Sequence, residues 1–127
     1  MVIEHVAMYV NELERTREFF TDYFGAKAGE PHTDQKSGLR SYMLSFDSGA
    51  KLEIMTRPGL EDPQKHPSRT GYIHIAFKLG SKEKVDELTA RLRRDGYAVS
   101  SGPCDTGGGV YGSSVVGIEG NLIDLKA

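Results

Sequence analysis

Four residues in this chain combine chemical capability with matching positions: two histidines and two acids. His5-Val6-Ala7-Met8-Tyr9-Val10 and His74-Ile75-Ala76-Phe77-Lys78-Leu79 share one build, and 69 residues separate their histidines. Gly49-Ala50-Lys51-Leu52-Glu53-Ile54 and Gly120-Asn121-Leu122-Ile123-Asp124-Leu125 form a second pair, with Glu53 and Asp124 71 residues apart. A neutral imidazole offers nitrogen and a carboxylate offers oxygen, so the four make a ligand set for a divalent first-row metal. Gathering them without a cation would cost several kcal/mol in desolvation and repulsion. Taken singly, each is an ordinary polar strand residue. The recurrence singles them out, and His32 and His66 fall outside it, in loops.

The elements that must position these groups follow from periodicity. Residues 2–10 alternate as a half-buried strand, with Val6, Met8 and Val10 on one face and Ile3, His5, Ala7 and Tyr9 on the other. Asn11 is the expected N-cap of a helix, with Glu14 completing a capping box and Gly25 ending it after Phe24. Residues 26–38 are turn-rich. Strands are expected at 40–47 and 51–56, with Leu52 and Ile54 on one face and Glu53 on the other.

Residues 57–71 hold three prolines and no periodicity, and so form a surface linker. Strand 72–79 then turns His74 away from Ile73, Ile75, Phe77 and Leu79. Ser81 caps a helix carrying Val85, Leu88 and Leu92, which Gly96 ends. Strands follow near 97–101, at 114–118 and at 122–126, the last with Asp124 opposite in phase to Ile123 and Leu125. The fold class is therefore α+β: two tandem β-α-β-β-β modules, about 1–56 and 72–127, joined by the 57–71 linker within one 127-residue domain.

Composition narrows the function classes. A net charge of −2 gives no preference for nucleic acid or anionic membrane, and no apolar run approaches the ~18 residues of a membrane span. With no leader-like segment before Ile3 and a single cysteine, Cys104, the expected address is the reducing cytoplasm. Gly107-Gly108-Gly109 lacks the Gly-Lys-Ser/Thr of a phosphate loop and opens no helix. Cys104 has no activating partner in sequence. Arg91, Arg93 and Arg94 suit the negative end of their helix.

The chain resembles the vicinal oxygen chelate superfamily, the glyoxalase I and bleomycin-resistance group. The resemblance rests on Ile3-Glu4-His5-Val6-Ala7, Thr16-Arg17-Glu18-Phe19-Phe20-Thr21-Asp22-Tyr23-Phe24-Gly25, Gly71-Tyr72-Ile73-His74-Ile75-Ala76-Phe77 and Gly120-Asn121-Leu122-Ile123-Asp124-Leu125, and covers nearly the whole chain. It implies paired modules forming an open, metal-holding groove. The His, Glu, His and Glu ligands of glyoxalase I fall on His5, Glu53, His74 and Asp124, the last one methylene shorter, about 1.5 Å less reach. An acid at Asp22, where glutathione-using members carry a basic residue, argues against glutathione itself. The closing turn reads Gly117-Ile118-Glu119-Gly120-Asn121 rather than Asp-Pro-Asp-Gly-Asn.

The expected function is a metal-dependent lyase or isomerase of glyoxalase I type. It would chelate two neighbouring oxygens of a small-molecule substrate on one divalent ion, zinc or nickel first, then cobalt, manganese or iron. Asp124, with Glu53 as its rival, would move a proton through an enediolate. A fosfomycin-resistance-like thiol transferase or an extradiol dioxygenase would leave Glu53 surplus. A bleomycin-resistance-like binding protein would need no metal. The aromatic run Phe19, Phe20, Tyr23 and Phe24 adds an expected two-fold homodimer.

Overall fold

A computed structural model describes residues 1–61 and 64–127. Asp62 and Pro63, inside the expected linker, lie outside the described residues. The chain divides into two compact units, Met1–Pro63 and Gln64–Ala127.

In the first unit β1 (His5–Tyr9) leads into α1 (Leu13–Phe24), followed by β2 (Lys27–Ala28), β3 (His32–Asp34), β4 (Leu39–Ser45) and β5 (Lys51–Thr56). The sheet runs β1-β5-β4-β2, with β3 also on β4. Parallel pairing joins the first and last strands, while β4 runs antiparallel to β5. Helix α1 packs Leu13, Thr16, Phe19 and Phe20 onto the side of the sheet that carries Leu44, Leu52 and Ile54, all of them buried. Burying a side chain of this size stabilises by roughly 1.5–3 kcal/mol. Phe19 meets Phe20 edge-on at 5.2 Å between centroids, so these aromatics serve the unit's own core. The exposed apolar surface lies instead on the first strand and its approach, at Ile3, Val6 and Tyr9.

Two local expectations change here. Glu12, not Asn11, is the N-cap of α1, with no side-chain cap bond. Glu14 does not complete a capping box; it accepts from the Tyr42 hydroxyl at 2.6 Å and from Arg17 Nε at 3.0 Å. A carboxylate answered by a phenol from β4 and by a guanidinium one turn along its own helix does not turn back to the helix end, and these bonds hold Glu14 below the ordinary carboxylate range. The turn-rich stretch 26–38 contains two short strands, β2 and β3, whose exposed residues have too little length to show a period.

The second unit repeats the order: β6 (His74–Lys78), α2 (Lys82–Arg94), β7 (Val99–Asp105), β8 (Tyr111–Val116) and β9 (Leu122–Lys126), with a 3₁₀ turn at Ile118–Gly120. Its sheet runs β6-β9-β8-β7, again parallel between first and last strands. Ser81 caps α2, its hydroxyl accepting from the Lys84 N–H at 3.2 Å. Val85 and Leu92 of α2 are buried, as are Val115, Ile123 and Leu125 of the sheet. Thr89 crosses to the sheet through its hydroxyl, which donates to Val85 O at 2.6 Å and lies 2.7 Å from Ser113 Oγ. The glycine-rich stretch is more ordered than its composition suggests, because β7 and β8 extend into both of its ends. Gly112 is needed there: a Cβ would collide with the Leu125 carbonyl oxygen. The architecture is α+β, two tandem β-α-β-β-β modules.

Candidate functional site

The two histidine–acid pairs are built by one rule of register. In the first unit β1 lies parallel to β5 with Ala7 opposite Glu53; in the second, β6 lies parallel to β9 with Ala76 opposite Asp124. Each acid therefore faces the alanine two residues beyond the histidine. Paired residues on neighbouring strands point to one side, and so do residues two apart along a strand. His5 and Glu53 share a face, and His74 and Asp124 share the equivalent face. That face is opposite the one buried against the helix, since Leu52, Ile54, Ile123 and Leu125 alternate with the acids and are all buried.

His5 is exposed and its Nδ1 is bonded to the carboxylate of its chain neighbour Glu4. That bond holds the imidazole pKa above its ordinary value, and Glu53 adds a weaker pull of the same sign. Glu4 is correspondingly held below the usual carboxylate range by His5. With Nδ1 on a carboxylate, Nε2 is the nitrogen left to ligate, the arrangement by which outer carboxylates orient metal-binding histidines.

In the second unit Asp124 is only 8% exposed, and its carboxylate is crowded. Ser114 donates to Oδ1 at 2.5 Å, while Lys126 Nζ stands 3.3 Å and His74 Nε2 3.5 Å from Oδ2. Asp124 lies opposite in phase to Ile123 and Leu125, as expected, and is buried on its own face because the Ser114, Lys126 and His74 side chains close over its carboxylate. Among the described residues, no group of three or more His, Cys, Asp or Glu side chains is gathered; each unit supplies one pair.

The donor chemistry within each pair fits a divalent ion of borderline character: one imidazole, one carboxylate, one shared face. Sequence reasoning missed three residues that touch these donors. Glu4 was visible as a neighbour of His5, and Lys126 lies two residues after Asp124, on the same strand face. Ser114 had no signal, because its pairing with Asp124 across β8 and β9 depends on a register that sequence does not state.

Comparison with known proteins decides the family. Residues 2–125 match the Glyoxalase/Bleomycin resistance protein/Dioxygenase superfamily. The chain belongs to that superfamily. It is 29% identical over 97 residues to the uncharacterized protein YqjT of Bacillus subtilis, covering 76% of this chain and 73% of the relative. It is 27% identical over 97 residues to the fosfomycin resistance protein FosX of Listeria monocytogenes, covering 76% of this chain and 67% of FosX. The solved FosX structure, complexed with Mn(II) and sulfate, superposes with a TM-score of 0.72 at 22% identity, over 98% of this chain and 90% of that one. The structure of a possible glyoxalase from Bacillus cereus has a TM-score of 0.73 at 25% identity, covering 100% of this chain and 99% of that one. Members of the superfamily include metal-binding proteins that act on small molecules, and among the described residues no helix is long and apolar enough to cross a membrane.

Proposed function

We propose that this superfamily member is a metal-dependent lyase or isomerase of glyoxalase I type, with His5, Glu53, His74 and Asp124 as the ligands of one divalent ion. The observation that carries the reading is the repeated register, in which each module sets its acid opposite the alanine two residues beyond its histidine. Two unrelated surface pairs have no reason to share it. A bound divalent ion would supply Lewis-acid polarisation of two neighbouring substrate oxygens.

The chain's own groups do the rest. Glu4 fixes the His5 ring so that Nε2 is presented. Ser114 and Lys126 fix the Asp124 carboxylate and balance its charge. Glu53, half-buried and less encumbered, is the group to take a proton from the carbon beside a substrate carbonyl and return it to the neighbouring carbon. That assignment moves the base from Asp124 to Glu53, because Asp124 is the acid already held on both oxygens. The ion is zinc or nickel first, with cobalt, manganese and iron next. The working assembly is a homodimer in the cytoplasm, supported by the exposed apolar residues of the first strand.

A fosfomycin-resistance activity is the second reading, favoured by the 27% identity to FosX. Elemental analysis of the wild type and of His5→Ala, Glu53→Gln, His74→Ala and Asp124→Asn, beside turnover of methylglyoxal with several thiols, α-hydroxycarbonyls and fosfomycin, separates the readings. Metal in the wild type, its loss from both histidine variants and isomerisation of a carbonyl substrate support the first. Turnover confined to fosfomycin supports the second. Wild-type protein free of metal at neutral pH overturns both.

A further inference from the structure

The second unit contains a cavity of about 390 Å³ that the metal reading does not use. Its size lies at the small end of the ~300–1,000 Å³ range of ligand sites. Its apolar surface comes from Ile73, Val116 and Leu122. Leu122 lies directly opposite His74 across β6 and β9 and is also paired with Val116 of β8. Leu122 is two residues from Asp124 on β9, so the apolar surface continues the strand face that carries the histidine–acid pair.

Lys65, His66 and Arg69 also line the cavity, and none of the described lining residues is acidic. Local bonds hold all three in place. Lys65 Nζ donates to the Glu119 carbonyl, and Arg69 Nη1 donates to the Tyr72 carbonyl. His66 Nδ1 accepts from the Ser68 N–H at 3.1 Å, which leaves Nε2 as its N–H donor. Glu119 is the non-glycine residue described with positive φ, at 54°, a conformation that carries strain and that the Lys65 bond secures. An ammonium, a guanidinium with its planar fork and an imidazole N–H thus line a small cavity together with its apolar side chains. Those are the donors that recognise an oxyanion.

We infer that this cavity binds a compact organic anion, a terminal carboxylate or phosphonate on a short apolar body, with Lys65, His66 and Arg69 at the oxyanion and Val116 and Leu122 against the body. Its use in turnover rests on the metal reading, as the subsite that fixes a substrate beside His74. Binding itself does not, because none of the lining residues is among the four proposed ligands. The cationic residues come from the segment joining the modules, outside the repeated motif, so they set selectivity without altering the histidine–acid pairs.

The experiment is performed on the full chain stripped of metal with EDTA and dialysed. Propylphosphonate, butyrate, inorganic phosphate and 1-butanol are titrated while backbone amide resonances are followed by NMR. Propylphosphonate and butyrate are expected to shift Arg69, Val116 and Leu122 together, with phosphate and butanol each about tenfold weaker or worse, as each lacks one half of the recognition. Lys65→Gln and Arg69→Gln, both on exposed loop positions, are each expected to weaken binding by about tenfold and to leave metal content unchanged. If the two organic anions bind best and differ from each other, the better one identifies the headgroup. Butanol binding as tightly as butyrate, unchanged affinity in both variants, or shifts confined to other residues would overturn the inference. Metal loss in His74→Ala with anion binding intact supports both proposals, whereas anion binding in a wild type that takes up no metal removes the metal reading alone.

Discussion

Ser114 donates its hydroxyl to Asp124 Oδ1 at 2.5 Å, from the strand directly beside it. The bond ties the acid proposed as a ligand in the second unit to a neighbouring-strand residue outside the proposed ligand set, so the sheet itself fixes that carboxylate. Charge-assisted hydrogen bonds to a buried carboxylate contribute about 1.5–3 kcal/mol each. Ser114→Ala is therefore expected to lower stability by about 2 kcal/mol in urea denaturation and to weaken metal affinity by about 10–100-fold. A variant as stable as the wild type, with metal content unchanged, would show that Asp124 needs no such support.

Protonation of His5 offers a test that needs no substrate. Glu4 holds the imidazole pKa above its ordinary value of about 6.5, so NMR titration is expected to give a raised midpoint that falls in Glu4→Gln. The sign for stability follows. The raised His5 value contributes stability that is present below the unfolded imidazole pKa and lost as pH rises through the folded one. The depressed Glu4 value contributes stability present above its unfolded pKa and lost as pH falls through the folded one. Both are strongly exposed, so the effect on global unfolding is small. With His5 a ligand as proposed, metal and proton would compete for the same ring, and acid release of metal is expected to begin at lower pH in Glu4→Gln than in the wild type.

The buried hydroxyl bridge between α2 and β8 should behave non-additively. Thr89→Val leaves Ser113, 2% exposed, without its partner and is expected to cost about 1–3 kcal/mol. Adding Ser113→Ala removes the orphaned group, and the double variant is expected to recover part of that loss. Thermal melts of the two single variants and the double variant form the cycle that measures the coupling.

Two glycines separate steric from conformational demand. Gly112→Ala forces a Cβ into the Leu125 carbonyl and is expected to destabilise by about 1–3 kcal/mol or more. Gly25→Ala at the end of α1 meets nothing within 4 Å, but its φ is 66°, so it is expected to cost only about 1–2 kcal/mol. Equal melting temperatures would remove the steric argument at Gly112.

Much of this was legible in the sequence, for identifiable reasons. Repetition exposed the module order and the four candidate ligands, and alternation put His5 and His74 on the faces they occupy. Ser81 could be read as a cap because one hydroxyl stands directly before an apolar helical period. Asn11 misled because Glu14, its apparent capping-box partner, bonds across to Tyr42, 28 residues away. The same limit hid Ser114: a contact fixed by strand register lies beyond any local pattern. The aromatic run of α1 was expected to reach a partner, yet Phe19 and Phe20 fill the core of their own module.

The pairing of first with last strands has a consequence for how the protein is made. In the first module β1 is made before its partner and can pair only when β5 has followed, 46 residues later in register. Closing that long a loop is slow compared with forming α1. Until then the chain carries an unpaired apolar strand, the kind of segment chaperones hold and neighbouring chains capture. Each histidine therefore joins its acid on one sheet face only at the end of its module's synthesis. An ion held on both pairs, as proposed, would in that sense certify complete folding.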